Sequence, residues 1–307
     1  MIQYLATKAW QLLLLCLLLA TGQTHAAPPI IAVFLSETGR PHLEVLEALR
    51  TELGQIANIT LVNEQEAVPK GTALIITIGV KATEALARSG APAPALATLV
   101  PRASFESLVG LSQGRDRSKF SAVFLDLPPR RQLALLHLAF PERRRVALLT
   151  GSCSESQVGQ LTAAAKDLGM SILSAPVQSE SEIYPALQRL LPETDILLAL
   201  PDPAVYNSHT IQDILLTTYH FRVPLAGFSP AYAKAGALLA MYSTPARIGS
   251  QAADMARTVL SGQPVPPPEY ARHMDITTNA HVARSLGIVL EPENALRDRL
   301  RQSEHLP

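Results

Sequence analysis

Charge excess, paired cysteines and long apolar runs are all missing from this chain, and each absence removes a class of function. Lys and Arg number 26 against 26 Asp and Glu, for a formal net charge of zero over 307 residues. The two signs are dispersed, so there is no basic surface of the kind that long-range attraction to nucleic acid or anionic lipid requires. The one short cluster, Arg143-Arg144-Arg145, reads as a solvated turn. No paired-cysteine, H-x-H or H-E-x-x-H spacing occurs, and no phosphate loop ending in Gly-Lys-Ser/Thr, so neither a metal nor a nucleotide cofactor is expected. The apolar run over residues 12–20 is too short for a hydrocarbon core, which takes about 20 residues.

What the run does fit is a removable leader. It is followed by Thr24-His25-Ala26 and then Ala27-Pro28-Pro29, with small residues at the −3 and −1 positions of a cut after Ala26. The first domain range is therefore residues 1–26, a signal peptide, and the mature chain is expected in the periplasm. Cys16 lies inside the run after Leu13-Leu14-Leu15, which argues against a lipoprotein. Cleavage leaves Cys153 alone. An intramolecular disulfide is then excluded, and an exported chain must hold itself together by its core. Chains of this size bury roughly three quarters of their unfolded surface and tend to split into two domains.

Short apolar runs alternate with helical periodicity from Ile30 onward, the pattern of parallel sheets covered by helices. Strands are expected over 30–34, 59–62, 72–78, 95–100, 107–111 and 120–125, with helices over 43–49 and 81–88. Pro128-Pro129 opens a further helix, since an N-terminal turn tolerates proline. After the polar turn at 141–145 the pattern restarts, with strands at 146–150, 170–175, 196–200, 224–228 and 237–242. Helices lie over 161–168, 183–191, 211–219 and 248–260. Residues 264–268, four prolines and a valine, must run extended and suit a hinge strap. A short helix at 280–286 and a polar, mobile tail from Ala295 complete the expectation. The fold class is α/β: two doubly wound, Rossmann-like lobes with parallel sheets. Residues 27–143 plus 243–263 form lobe I and 144–242 plus 264–307 form lobe II.

Several segments resemble a known family. Ala73-Leu74-Ile75-Ile76-Thr77-Ile78-Gly79-Val80-Lys81-Ala82-Thr83-Glu84 is similar to the strand–turn–helix of periplasmic substrate-binding proteins of ABC transporters, in the branch associated with tryptophan and tyrosine uptake. Ala199-Leu200-Pro201-Asp202-Pro203, Arg222-Val223-Pro224-Leu225-Ala226-Gly227-Phe228-Ser229, Lys234-Ala235-Gly236-Ala237 and Ile248-Gly249-Ser250-Gln251-Ala252 follow the same order. The resemblance implies the type I periplasmic binding protein architecture, two lobes joined by three crossings and closing over a ligand. It implies a monomeric receptor that captures an amino acid or similar metabolite and delivers it to an inner-membrane permease. The alternative within the binding class is a sensory accessory of a histidine kinase or an outer-membrane uptake system.

Ligands of open parallel sheets sit beyond the carboxyl ends of strands, near helix N-termini. The candidates are Ser36, Glu37 and Thr38 after the first strand; Gly79, Val80 and Lys81 after the third; Ser152 and Ser154; Asp202; Phe228 and Ser229; and Tyr242 at an expected crossing. Asp202 suits an amino group, and Ser152 with Ser154 a carboxylate. Ser154 and Asp202 read equally well as helix N-caps, Glu37 and Lys81 as solvated charges, Tyr242 as a hinge brace. Tyr206 and Asn207 reach either the cleft or a helix face. An enzyme is not expected. The remote alternative is a hydrolase using Ser152 or Cys153, but Gly151-Ser152-Cys153-Ser154-Glu155 has a cysteine at the nucleophile position of a G-x-S-x-G elbow and lacks its second glycine.

Overall fold

A computed structural model describes residues 27–63, 66–110 and 117–304; the leader and its cleavage site lie outside them. The first sheet contains β1 (Ile30–Leu35), β2 (Asn58–Leu61), β3 (Thr72–Ile78), β4 (Ala95–Val100) and β5 (Phe120–Phe124). The second contains β6 (Arg145–Thr150), β7 (Ser171–Pro176), β8 (Ile196–Leu198), β9 (Leu225–Gly227) and β10 (Leu239–Tyr242). Two late strands, β11 (Glu269–Tyr270) and β12 (Asp275–Thr278), complete orders of β11-β5-β4-β3-β1-β2 and β12-β10-β9-β8-β6-β7. Every pairing is parallel except β12 with β10. Strands β3 to β6 read as nearly continuous apolar runs because helices cover both faces of a parallel sheet, and their central residues are fully buried.

The helices are α1 (Arg40–Leu53), α2 (Val80–Ser89), α3 (Arg102–Gly110), α4 (Pro129–Ala139), α5 (Val158–Asp167) and α6 (Glu180–Leu190), then α7 (Ile211–His220), α8 (Pro230–Ala235), α9 (Pro245–Leu260), α10 (Ala280–Leu286) and α11 (Glu293–Glu304). Pro129 stands in the first turn of α4, as the sequence predicts; Pro245 stands in the first turn of α9, and Gly169 is left-handed with φ of 64° just beyond α5. The helix α9 returns to the first sheet, where it packs on α1. That crossing is close: a Cβ on Gly249 would stand 2.7 Å from the Ala48 Cβ and 2.9 Å from the Val45 carbonyl oxygen. Only glycine lets the two backbones approach so far.

Four sequence expectations change. The stretch ending at Gly110 is α3, not a strand, because Phe105 and Leu108 fall one helical turn apart and are both buried, while the Asp126 carboxylate caps its first amide. Residue 111 lies outside the described residues. The polar tail contains α11, whose Leu296 and Leu300 are buried against α4 and β12; apolar residues four apart make a single stripe that a mostly charged helix still buries. The helix α4 packs on α5 and α11, so the chain leaves the first sheet at residues 125–128 and not at 143. Residues 264–268 are not the strap. The chain pairs β11 with β5 before it crosses at 271–274 to reach β12. With the passage from β10 into α9 at residues 243–244, this makes three crossings between the two α/β lobes.

Candidate functional site

Both sheets share one winding. β2-β1-β3-β4-β5 and β7-β6-β8-β9-β10 each reverse direction next to their first strand, and ligands of such sheets bind at that switch point, outside the carboxyl ends of the strands. In the first lobe the switch point lies between β1 and β3, where the Ser36 amide donates to the Ile78 carbonyl at 2.9 Å. The Ser36 hydroxyl accepts the Ala82 amide at 2.9 Å, which satisfies one open donor of α2. Gly79, at φ of 98°, has no room for a side chain, since a Cβ would stand 2.5 Å from the Ser36 hydroxyl and 2.8 Å from the His42 imidazole. Glu37 and Lys81 pair at 3.4 Å in solvent; Thr38 is exposed and Val80 half-buried. Burial holds the His42 imidazole below its ordinary pKa, against the opposing charge of Glu37. Its Nδ1 is buried without a hydrogen-bond partner.

The switch point of the second lobe is built around Asp202. Its Oδ2 accepts the Ser154 hydroxyl at 2.7 Å and the Gly151 amide at 3.0 Å, and its Oδ1 accepts the Ala204 amide at 3.0 Å. Asp202 and Ser154 are 1% and 0% exposed. The two residues predicted to share a ligand's amino and carboxylate groups are therefore spent on each other, and the carboxylate clamps the loop after β6 to the loop after β8. Neither acts as a helix cap: the Ser154 side chain makes no capping bond to the turn that follows it, and Asp202 holds the Ala204 amide within a turn. Ser152 remains exposed and Cys153 half-buried.

Phe228 and Ser229 follow β9. Phe228 packs edge-to-face against Tyr206 and tilted against Tyr232, ring centroids 6.2 and 4.5 Å away. A Cβ on Gly227 would stand 2.5 Å from the Tyr232 Cβ, so the glycine seats this trio. Tyr206 is buried and Asn207 hydrogen-bonds Glu180 and the Pro203 carbonyl on the surface. Tyr242 donates to or accepts from the Thr277 hydroxyl at 2.9 Å, bracing β10 against β12.

Where the first crossing meets the ends of β8, β9 and β10 lies a narrow crevice open to solvent, lined by Leu127, Gln132, Pro201, Phe228 and Met241 among others. Its only charged wall residue is Asp126, which the sequence reading passed over. The side chain is 4% exposed. Burial pushes its carboxyl up to about 6, against the Arg102 amide, which donates to Oδ1 at 2.8 Å. A lone acid between leucines, just before Pro128, was the available signal: an acidic residue closing an otherwise apolar strand is rarely buried without a partner. Nearby, β4 carries a bulge at Leu99, whose φ of 52° is unusual for a branched residue; such strain collects at functional edges of sheets. Among the described residues no three His, Cys, Asp or Glu side chains stand together as metal ligands.

Residues 54–299 match the family model described as ABC transporter substrate binding protein. The chain belongs to that family. Solved structures agree on its fold. An ABC domain from Streptococcus pneumoniae in complex with L-Trp aligns over 88% of this chain and 98% of its own, at 18% identity and a TM-score of 0.67. A substrate-binding protein with adhesive properties from Clostridium difficile, in a ligand-free, open structure, covers 87% of this chain and 97% of its own, at 18% identity and 0.68. A conserved domain protein from Vibrio cholerae covers 89% and 98%, at 18% and 0.66. No curated protein matches the chain. Membership of the ABC substrate-binding family assigns a solute-binding role to two lobes of the type I periplasmic binding protein architecture, and no helix among the described residues is long and apolar enough to cross a membrane.

Proposed function

We propose that this chain is an exported receptor that takes one small solute into the gap between its lobes, closes over it and hands it unchanged to an inner-membrane ABC permease. The observation that carries this reading is the crevice at the first crossing, which is walled by residues of that crossing and by strand ends of the second lobe. A ligand seated there touches the hinge itself. Closure wins only through contacts that the ligand makes better in the closed state than in the open one, and those are the contacts that the first lobe adds when it closes on a ligand already seated at the hinge. The L-Trp complex of the Streptococcus relative supports a ligand of metabolite size. The mature receptor begins at Ala27, works as a monomer in the periplasm and performs no catalysis.

The test is a thermal-shift screen of the purified protein against amino acids, amines, nucleosides, sugars and vitamins, with mass spectrometry of the recovered solute. A melting temperature raised by one solute class, recovered intact, is the expected result. Conversion of the solute, or no stabilisation by any class at millimolar concentration, contradicts the proposal.

A further inference from the structure

We propose that the solute is an apolar ammonium compound whose cationic nitrogen is held at Asp126, and that a carboxylate on the solute is not required. This rests on the receptor reading above and narrows it to a ligand class. The groups suited to an amino acid's two ends are already engaged: Asp202 accepts three protein donors, Ser154 donates to Asp202, and Ser36 caps α2. What remains in the crevice is of one kind. Asp126 takes a single hydrogen bond from another residue, the Arg102 amide on Oδ1. Gln132 uses its amide nitrogen on the Leu127 carbonyl at 2.6 Å, which leaves its carbonyl oxygen as a second acceptor on the same wall.

The other walls are apolar, formed by Leu127, Leu198, Pro201, Phe228 and Met241, and no lysine or arginine lines the crevice. Acceptors with no cation on the crevice wall itself select a donor that brings its own positive charge, the Arg102 charge behind Asp126 offsetting only part of the cost of burial. The Phe228 ring adds the aromatic surface that an ammonium group favours. A solute carboxylate placed here would face Asp126 with no cation on the crevice wall to neutralise it, which costs binding. A buried carboxylate without full compensation is also unfavourable in the empty protein, and burial holds its carboxyl up near 6; an arriving cation removes that penalty. The charged and titratable groups facing Asp126 are Arg102 and Glu106 of α3, with Tyr270 of β11 bound to the Arg102 side chain.

Isothermal titration with phenethylamine, phenylalanine and phenylacetate tests this. Phenethylamine binds, phenylalanine binds no more tightly, and phenylacetate does not bind. Asp126→Asn, which keeps an acceptor for the Arg102 amide, weakens phenethylamine at least tenfold. In the wild type the phenethylamine affinity falls about tenfold from pH 7.5 to pH 5, as Asp126 takes up its proton, and this fall is lost in Asp126→Asn. The pH series on the wild type alone decides the matter if the variant does not fold. Binding of phenylacetate or of a sugar with phenethylamine excluded overturns the ligand class while the receptor reading stands. An Asp126→Asn protein that binds phenethylamine as the wild type does overturns the role of Asp126. Failure of every solute class in the wider screen overturns both.

Discussion

Replacing Asp126 by asparagine is expected to stabilise the ligand-free protein, and the gain is expected to depend on pH. The carboxyl titrates at about 6 when folded instead of 3.8. At about 1.4 kcal/mol for each tenfold change in proton affinity, that interval amounts to about 3 kcal/mol. The sign follows from proton counting: between these two values the folded chain holds a proton that the unfolded chain has released. Stability contributed by this group is therefore fully present below about 3.8 and is lost as the pH rises through 6. Asparagine is neutral throughout and keeps its carbonyl for the Arg102 amide. Urea melts of variant and wild type at matched pH should give a stability difference that is small at pH 4 and grows toward about 3 kcal/mol at pH 7.5. Other carboxylates titrate in both proteins and cancel in the difference. A difference that stays flat across that range, or a variant less stable at pH 7.5, refutes the reasoning that Asp126 is a costly buried charge retained for binding.

Asp202 should behave in the opposite way. Asp202→Ala leaves the Gly151 amide, the Ala204 amide and the Ser154 hydroxyl without their acceptor, and at roughly 1–3 kcal/mol for each of the two buried donors, the Gly151 amide and the Ser154 hydroxyl, the loss is at least about 2 kcal/mol by urea denaturation; a variant that melts like the wild type removes the bracing role. Leu300→Ala, at a side chain 1% exposed under α11, should cost about 2–5 kcal/mol, read from the same denaturation curves, whereas a value near zero would mean that α11 does not belong to the core.

Much of the architecture was legible because it rests on period and punctuation. Strand, glycine and helix follow one another at β3, Gly79 and α2, whereas the strand order that sets both switch points comes from the sheet pairing. The misreadings have specific causes. In α3 the residues 107–111 look like a short strand, and only the distant Asp126 carboxylate, brought to the Arg102 amide by sheet pairing, shows why a helix starts there. The helix α11 carries a charge-rich sequence in which Leu296 and Leu300 are the sole apolar stripe, and its stability comes from α4, about 160 residues earlier in the chain. Tertiary partners decide both cases. At the site, the residues named from the sequence do follow the ends of their strands, and Asp202 and Ser154 bond each other there. Nothing in the local sequence tells whether Asp202 faces a ligand or accepts three protein donors, and Asp126 gains its setting from β8, β9 and β10 folding against the first crossing.

Closure of two lobes around a solute is the central event of solute capture. Small-angle scattering of the purified protein, with and without saturating amounts of whichever solute raises its melting temperature, measures this directly. A radius of gyration that falls on addition, at one solute per chain, is the predicted result; a profile unchanged by every stabilising solute would contradict it.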